Sequence, residues 1–251
     1  MQKKARIISI TKSEIEGMPD LSTEDLIIYV ARVSNPSNQE NTDTGLKLLR
    51  YLIAKKHWSP FDMADITIEI KTSRAIAAQI LRHWSFDFQE FSQRYAEAVD
   101  LEPVQLREAG STTRQGSKEG EFNPMLKGYT FPVLSEFMVK VDSQDARDVV
   151  DSFLELSTEL YKSLLQAGVA KEVARMILPL TTQTTINMKS SVRNWLFYFS
   201  QRLDPHAQLE HRQIAAEMFE IFKSKFPTIC EAFFGAETVI IPPIFPPDRI
   251  G

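Results

Sequence analysis

The sequence predicts an α+β fold, because strand patterns come early in the chain and helix patterns come late. Two early segments are predicted as strands, Ala5 to Ile10 and Asp65 to Lys71. In the second, Ile66, Ile68 and Ile70 alternate with polar residues, which is the period of a half-buried strand. About six other segments carry apolar residues every three or four positions, the period of an amphipathic helix. Strands and helices do not alternate along the chain, so the pattern favours α+β over α/β.

Three helices are predicted in the first part of the chain, each with apolar residues at helical spacing and a polar residue that suits an N-cap. They are Glu24 to Val33 after Ser22 or Thr23, a helix from Thr42 or Thr44 through Ile53, and a helix from Ser73 through Leu81. The stretch from Gln79 to Tyr95 is predicted to leave the third helix and continue as a loop. Loops held by a regular scaffold often carry binding residues.

The later part of the chain is predicted to be mostly helical. The helices are Asp142 to Ala167, Ala170 to Ile177, Ser190 to Leu203, and a last helix that Pro205 opens and that runs through Phe222. Gly168 is predicted as the left-handed cap of the first of these. The same helix is expected to bury one apolar stripe, formed by Val149, Phe153, Leu156, Leu160 and Leu164. Leu101 to Pro132 is predicted as a long functional or mobile loop, and Val239 to Pro247 as a strand or an extended arm.

The composition is that of an ordinary globular protein. With 251 residues, 43% hydrophobic and 25% charged, the chain is expected to form one domain over residues 1–251. The net charge of −4 disfavours a general nucleic-acid surface. No apolar run approaches the roughly 18 residues of a membrane span, so no membrane association is expected. The single cysteine, Cys230, excludes an intramolecular disulfide and suits a cytoplasmic protein.

Metal and nucleophile chemistry find little support in the sequence. Of the four histidines, His206 and His211 lie five positions apart, which does not bring both onto one helix face. Paired cysteines are absent as well, so no metal is expected. Cys230 lies among apolar residues, which predicts an inert core thiol. Ser92 has no base beside it in sequence, and no glycine-rich phosphate loop is present.

Arginines in apolar surroundings are the strongest remaining signal. Arg82 and Arg94 bracket the segment LRHWSFDFQEFSQR, whose aromatic and amide side chains suit a flat phosphorylated ligand. Arg175, Arg193 and Arg202 also lie in apolar sequence. For each arginine the alternative is a solvated charge or a weak surface ion pair. Together they favour a pocket for an anionic ligand.

Five segments, in order, resemble one known family. Arg82-His83-Trp84, followed after seven residues by Ser92-Gln93-Arg94, is similar to the R-H-R, seven residues, S-x-R signature of the flavin-dependent thymidylate synthases. Four further segments resemble this family. They are Ala31 to Ser34, His57 to Asp62, Glu172 to Arg175 with Leu178-Pro179, and Arg202 with Asp204 to Gln208.

The resemblance implies a fold, an assembly and a reaction. The fold is an α+β chain with a small central sheet and surrounding helices, and the assembly is a homotetramer. The reaction is the reductive methylation of dUMP to dTMP. Methylenetetrahydrofolate supplies the carbon, and NADPH reduces a bound FAD that then supplies the hydride. FAD in this family is held without a glycine-rich motif, and no enzyme cysteine attacks the pyrimidine.

The resemblance also assigns site residues. Those matched to dUMP are Gln79, Arg82, Glu90, Ser92, Gln93, Arg94, Arg175 and Arg202. Arg202 is matched to the catalytic arginine, whose charge favours the ionised pyrimidine. Those matched to FAD are Ser34, His57, Ser59, Arg82, His83, Trp84, Glu90, Ser191 and Arg193.

Three positions depart from the family pattern. Trp84 stands where the signature has arginine, Ser191 where asparagine is common, and Phe197 where a polar residue usually meets the flavin. Two alternative functions follow. One is a nucleotide-binding protein that has lost catalysis through the Trp84 change. The other is a flavoenzyme that methylates a different uracil, such as one in RNA, which the acidic net charge disfavours.

Overall fold

The computed structural model describes residues 4–97, 100–109, 118, 120, 122–125 and 145–235. The Val239 to Pro247 segment and much of the Leu101 to Pro132 loop lie outside the described residues. The elements in chain order are β1 (Ala5–Ile10), α1 (Thr23–Ala31), α2 (Gly45–Ala54), β2 (Asp65–Ser73), α3 (Arg74–Ile80), β3 (Asp87–Glu90), α4 (Ala146–Gln166), α5 (Lys171–Ala174), β4 (Gln183–Ser191), α6 (Val192–Arg202), α7 (Leu209–Lys225) and α8 (Pro227–Phe234). Short 3-10 turns are Pro36–Asn38, Ser59–Asp62 and Arg175–Ile177.

A four-stranded sheet has the order β1-β2-β4-β3. β1 runs antiparallel to β2, with a shift of register between Ile7 and Ser9, and β3 runs antiparallel to β4. On β2, Ile66, Ile68 and Ile70 are fully buried, as their alternation predicts. The α+β class is therefore confirmed.

Two strands correct the sequence prediction. The predicted loop after α3 contains β3, and the segment before Val192 forms β4. On β4 the buried face consists of Thr184, Ile186, Met188 and Ser190, so its apolar alternation is weak. The four residues of β3 are too few for a periodic signal, and the strand is defined by its hydrogen bonds with β4.

Two of the predicted helix ends are confirmed and one is wrong. The Ser22 hydroxyl accepts the N–H of Asp25 at 3.0 Å and caps α1, and Gly168, with φ of 85°, follows α4 as predicted. Pro205 does not open the last long helix, because the Asp204 carboxylate binds the backbone N–H of His206 in a turn and α7 begins only at Leu209. The chain then breaks at Phe226 before α8.

The predicted stripe of α4 is only partly buried. Val149 is buried, but Phe153 and Leu160 are each 48% exposed. Ser157 and Tyr161 are buried instead. The difference arises because the Ser157 hydroxyl donates to the carbonyl of Ile177 at 3.1 Å, which turns a partly polar face of α4 towards its neighbours.

Contacts divide the chain into two compact units. The first comprises Met1–Lys71, Ile80–Glu90 and Thr185–Gly251, and the second Thr72–Gln79 and Phe91–Thr184, as far as these ranges are described. In the first unit, α6 packs on α7, α7 contacts β1, and α2 contacts α8. In the second unit, α4 packs on α5 and on the Arg175–Ile177 turn. The single domain expected from the chain length stays a prediction.

Among the helices of the described residues, none combines the length and the hydropathy needed to cross a membrane.

Candidate active site

Arg202, the last residue of α6, makes a hydrogen bond to a histidine far away in sequence. Its Nε–H donates to Nε2 of His83 at 2.9 Å. A guanidinium has no acceptor, so the imidazole nitrogen must accept and the neutral ring carries its proton on Nδ1. Within the described residues the carboxylate nearest in sequence, Asp204, binds His206 instead. Arg202 is therefore held by a neutral partner.

Buried polar and aromatic groups surround the His83 ring. Its centroid lies 4.9 Å from Tyr198 and 6.4 Å from His211. The Tyr198 hydroxyl and Nε2 of His211 are 2.9 Å apart in a buried hydrogen bond. Burial, and then the charge of Arg202, lower the pKa of His83 to about 4 and that of His211 to about 3. Burial raises the pKa of Tyr198, so all three groups are uncharged at neutral pH.

A second group of contacts is centred on Asp62. Ser191 at the end of β4 donates its hydroxyl to Oδ1 of Asp62 at 2.9 Å, and Arg193 donates to Oδ2 at 3.0 Å. Asp62 closes the Ser59–Asp62 turn just before β2. Two residues matched to FAD are thus fixed by a carboxylate that sequence reasoning left without a role.

The turn that carries the signature is tied to the start of α6. The carbonyl of Ser85 accepts hydrogen bonds from the Ser190 hydroxyl at 2.7 Å and from the Asn194 amide at 3.1 Å. Asn194 also donates to Ser190 at 2.8 Å. Asn194 was missed because a lone asparagine inside a helix carries no sequence signal.

The remaining residues matched to FAD are accessible. Ser34, His57, Ser59, Arg82 and Trp84 are exposed, with Trp84 93% exposed, whereas Glu90 is half-buried. Ser34 lines a groove of about 430 Å³ that Tyr51 also lines. The Tyr51 ring lies 6.3 Å from the His57 ring, so His57 lies beside one of the residues that line this groove.

Phe197, where the family has a polar residue, packs in an aromatic cluster. Its ring lies 4.9 Å from Trp58 and 6.0 Å from Phe233. The departure therefore coincides with a larger apolar cluster that Trp58 and Phe233 complete. The Phe197 ring itself provides packing at this position and no hydrogen-bond donor.

In the second unit, three residues matched to dUMP contact either Arg74 or Glu172. Gln93 is buried and accepts from Nε of Arg74 at 3.3 Å. Nε of Arg94 lies 3.8 Å from the Glu172 carboxylate, and Nε of Arg175 donates to the Glu172 carbonyl at 3.3 Å.

Ser92 and Gln79 complete this set. The Ser92 hydroxyl accepts the backbone N–H of Arg94 at 3.4 Å, and Gln79 lies in α3. Arg74 and Glu172 are contacts that the sequence reasoning did not assign. Arg94 and Arg175 therefore both contact Glu172, Arg94 at the carboxylate and Arg175 at the backbone carbonyl.

Cys230 is buried, as predicted for a core cysteine, and burial together with nearby Glu24 raises its pKa to about 12. Across the described ranges, no cluster of three or more histidine, cysteine or carboxylate groups could hold a metal ion.

Comparisons with known proteins agree on one family. The sequence profile described as "Thymidylate synthase complementing protein" matches residues 18–228. A flavin-dependent thymidylate synthase of Synechocystis sp. is 46% identical over 90% of this chain and 97% of its own length. A probable flavin-dependent thymidylate synthase of Paramecium bursaria Chlorella virus 1 is 43% identical over 91% and 97%. The chain belongs to the flavin-dependent thymidylate synthase family.

A solved structure shares the fold of this family member. It is a UMP/dUMP methylase, PolB from Streptomyces cacaoi, bound with 5-Br dUMP. The TM-score is 0.69, with 22% identity, over 92% of this chain and 93% of that chain. At this identity the similarity establishes the fold alone.

Proposed function

We propose that this protein is a flavin-dependent thymidylate synthase that converts dUMP to dTMP, with FAD as its cofactor. Methylenetetrahydrofolate is the carbon donor and NADPH the reductant. The observation that carries the proposal is the 46% identity to the Synechocystis enzyme over nearly the whole of both chains. An identity of this extent supports a shared reaction as well as a shared fold.

Arg202 is the proposed catalytic residue. A fixed cation beside the pyrimidine stabilises negative charge on the ring nitrogen and oxygens, and this charge makes C5 nucleophilic. The hydrogen bond to His83 supports the role, because it holds the guanidinium without neutralising it. A carboxylate partner would compete with an anionic ring for the same charge.

The residues matched to FAD suit that cofactor by their chemistry. Arg82, Arg193, His57 and hydroxyl groups are donors for a diphosphate and for ring carbonyls. Glu90 is an acceptor for ligand hydroxyl groups. The proposed set is Ser34, His57, Ser59, Arg82, His83, Trp84, Glu90, Ser191 and Arg193. When bound, FAD supplies the hydride that completes the methyl group, while these residues bind and orient it.

The proposed nucleotide ligands are Gln79, Arg82, Glu90, Ser92, Gln93, Arg94, Arg175 and Arg202. The arginines offer charge-assisted donors to phosphate, and the amides and carboxylate offer hydrogen bonds to ring edges.

A homotetramer in the cytoplasm completes the proposal. Large apolar side chains stay exposed in the second unit, as expected where subunits meet, among them Phe153, Leu160, Val173, Met176 and Leu180. The absence of any possible internal disulfide suits a reducing compartment.

The test is the reaction itself. Purified protein should bind FAD, its flavin absorbance should bleach under NADPH and return in air, and dTMP should form only with dUMP and methylenetetrahydrofolate. A protein that takes up no flavin would contradict the proposal. Binding of dUMP without dTMP would support the non-catalytic alternative, and methylation of RNA in preference to dUMP would support the other.

A further inference from the structure

We propose that His83 is a positioning residue for Arg202, that it acts through the lone pair of Nε2, and that the buried Tyr198–His211 pair fixes the His83 ring for this task. The hydrogen bond orients the arginine whatever the ligand. Only the contact between Arg202 and the nucleotide rests on the proposed function.

The hydrogen bond to His83 restricts the conformation of the Arg202 side chain. A long arginine side chain samples many rotamers, and a single fixed acceptor reduces that freedom. The 2.9 Å bond to His83 uses the Nε–H, one of five guanidinium donors. A bond through Nε orients the plane of the group, and the Nη nitrogens keep their capacity to donate to a ligand.

The partner of Arg202, His83, carries no charge at neutral pH. In the described structure the acceptor for Arg202 is an imidazole nitrogen, and the Asp204 carboxylate is engaged by the backbone and ring of His206. A neutral acceptor leaves the full positive charge for an anionic ring. Protonation of His83 would replace the acceptor with a donor and end the bond. The low pKa of His83, about 4, keeps the acceptor available at neutral pH.

The backbone after α3 and the ring of Tyr198 hold the His83 imidazole in place. The backbone N–H of His83 donates to the Ile80 carbonyl, which anchors the residue after α3. Tyr198 lies four positions before Arg202, on the same face of α6, and its ring packs edge-on against His83. α7 supplies His211, whose hydrogen bond to the Tyr198 hydroxyl fixes that ring. Arg202, Tyr198 and His211 are the charged or titratable groups that face His83 from α6 and α7.

The test compares two substitutions of the histidine. In His83→Gln the side-chain oxygen can reach the former position of Nε2, whereas in His83→Asn the acceptor falls at the position of Nδ1. The dissociation constant for dUMP is measured by calorimetry for both, in the wild-type and Arg202→Ala backgrounds, with flavin content and melting temperature recorded. His83→Asn should weaken dUMP binding roughly 10-fold and His83→Gln less than about 3-fold, because only Gln restores the acceptor. In the Arg202→Ala background neither should change binding more than about 2-fold.

Two results would overturn the inference. Equal weakening in both backgrounds would mean that His83 acts on the ligand or the fold directly. Equal weakening by Gln and Asn would mean that the position of the acceptor is irrelevant. Formation of dTMP by the wild-type protein is assayed separately, so a failed reaction contradicts the proposed function while the binding comparison still decides this inference.

A second measurement needs neither ligand nor His83 variant. With ¹⁵N-labelled histidine the protein should show eight ring-nitrogen signals, two for each of its four histidines. His83 should be the neutral Nδ1–H tautomer at pH 7, and its Nε2 signal should move in Arg202→Ala. A His83 signal that is the same in both proteins would refute the hydrogen bond and the proposal with it.

Discussion

At the scale of single residues, two arginines of the candidate site have partners of different charge. Arg202 is held by the uncharged ring of His83, whereas Arg193 is held by the carboxylate of Asp62. The difference suits different tasks. A neutral partner leaves the charge of Arg202 available for its proposed role in stabilising negative charge, while the proposed role of Arg193 in binding FAD tolerates an ion pair.

Replacement of the proposed catalytic arginine should separate turnover from cofactor binding. Arg202→Ala should lower kcat for dTMP formation on the order of 10²–10³-fold, the range for loss of one preorganised donor at developing charge. Bound flavin per subunit should change little, because Arg202 is not matched to FAD. Steady-state kinetics and absorbance at the flavin band are the measurements. A parallel loss of flavin and turnover would make Arg202 a structural residue.

Trp84 permits a substitution that restores the family signature. Because its side chain is 93% exposed, Trp84→Arg should change the free energy of unfolding by less than about 0.5 kcal/mol. The added cation should lower the dissociation constant of FAD or dUMP several-fold if it meets an anionic group. Urea unfolding and ligand titration test both statements. Weaker binding of both ligands would instead indicate that the indole stacks on one of them.

At the scale of elements, the junction of β4 and α6 organises the first unit. The strand ends at Ser191 and the helix begins at Val192, so Ser190, Ser191, Arg193 and Asn194 project from one short segment. Ser190 and Asn194 bind the carbonyl of Ser85, while Ser191 and Arg193 bind Asp62. The junction therefore links two parts of the chain that carry proposed FAD ligands.

Asp62 should control flavin binding without contacting substrate. Asp62→Asn keeps the shape but removes the charge that pairs with Arg193, so the dissociation constant of FAD should rise roughly 10-fold. The matched control is Asp65→Asn, since Asp65 makes an exposed pair with Lys189 at 3.2 Å and lies three positions later. Flavin titration of the apoprotein measures the effect. A similar change in the control would show a general electrostatic effect.

At the scale of the whole molecule, two histidines with lowered pKa values make stability depend on pH. An unfolded histidine has a pKa near 6.5, whereas those of His83 and His211 are lowered to about 4 and about 3. Between pH 6.5 and about 4 the unfolded chain therefore binds protons that the folded chain does not. The free energy of unfolding should fall as pH falls through this window, by a few kcal/mol in total. Each tenfold change in a proton-binding constant corresponds to about 1.4 kcal/mol, and the contribution of His83 is smaller because this residue is only partly buried.

Urea unfolding at pH 7.5, 6, 5 and 4.5 measures this loss. His83→Gln cannot titrate, so its slope with pH should be shallower than that of the wild type. The pKa values of Asp145 and Asp204 are lowered from their ordinary 3.8, so these carboxylates titrate below this pH range. An identical slope in wild type and variant would rule out a contribution from His83.

Much of the fold followed from local patterns. β1, β2, α1 and α2 were predicted within a few residues, since each has strong periodicity or a capping residue. β4 was missed because half its buried face is hydroxyl groups, and β3 because a four-residue strand exists only through its partner. The stripe of α4 was partly wrong because Ser157 and Tyr161 pack inward in place of Phe153 and Leu160.

The sequence by itself determined the α+β class, the family and the reaction proposed, because motif order and periodicity are properties of the chain. Only the tertiary structure decided that Arg202 is held by His83, 119 positions away, and that Asp62 binds both Ser191 and Arg193. It also shows His211, which sequence spacing tests only as a candidate metal ligand, as the hydrogen-bond partner of Tyr198. Hydrogen bonds between distant residues depend on how strands and helices meet in space, and no local pattern encodes that meeting.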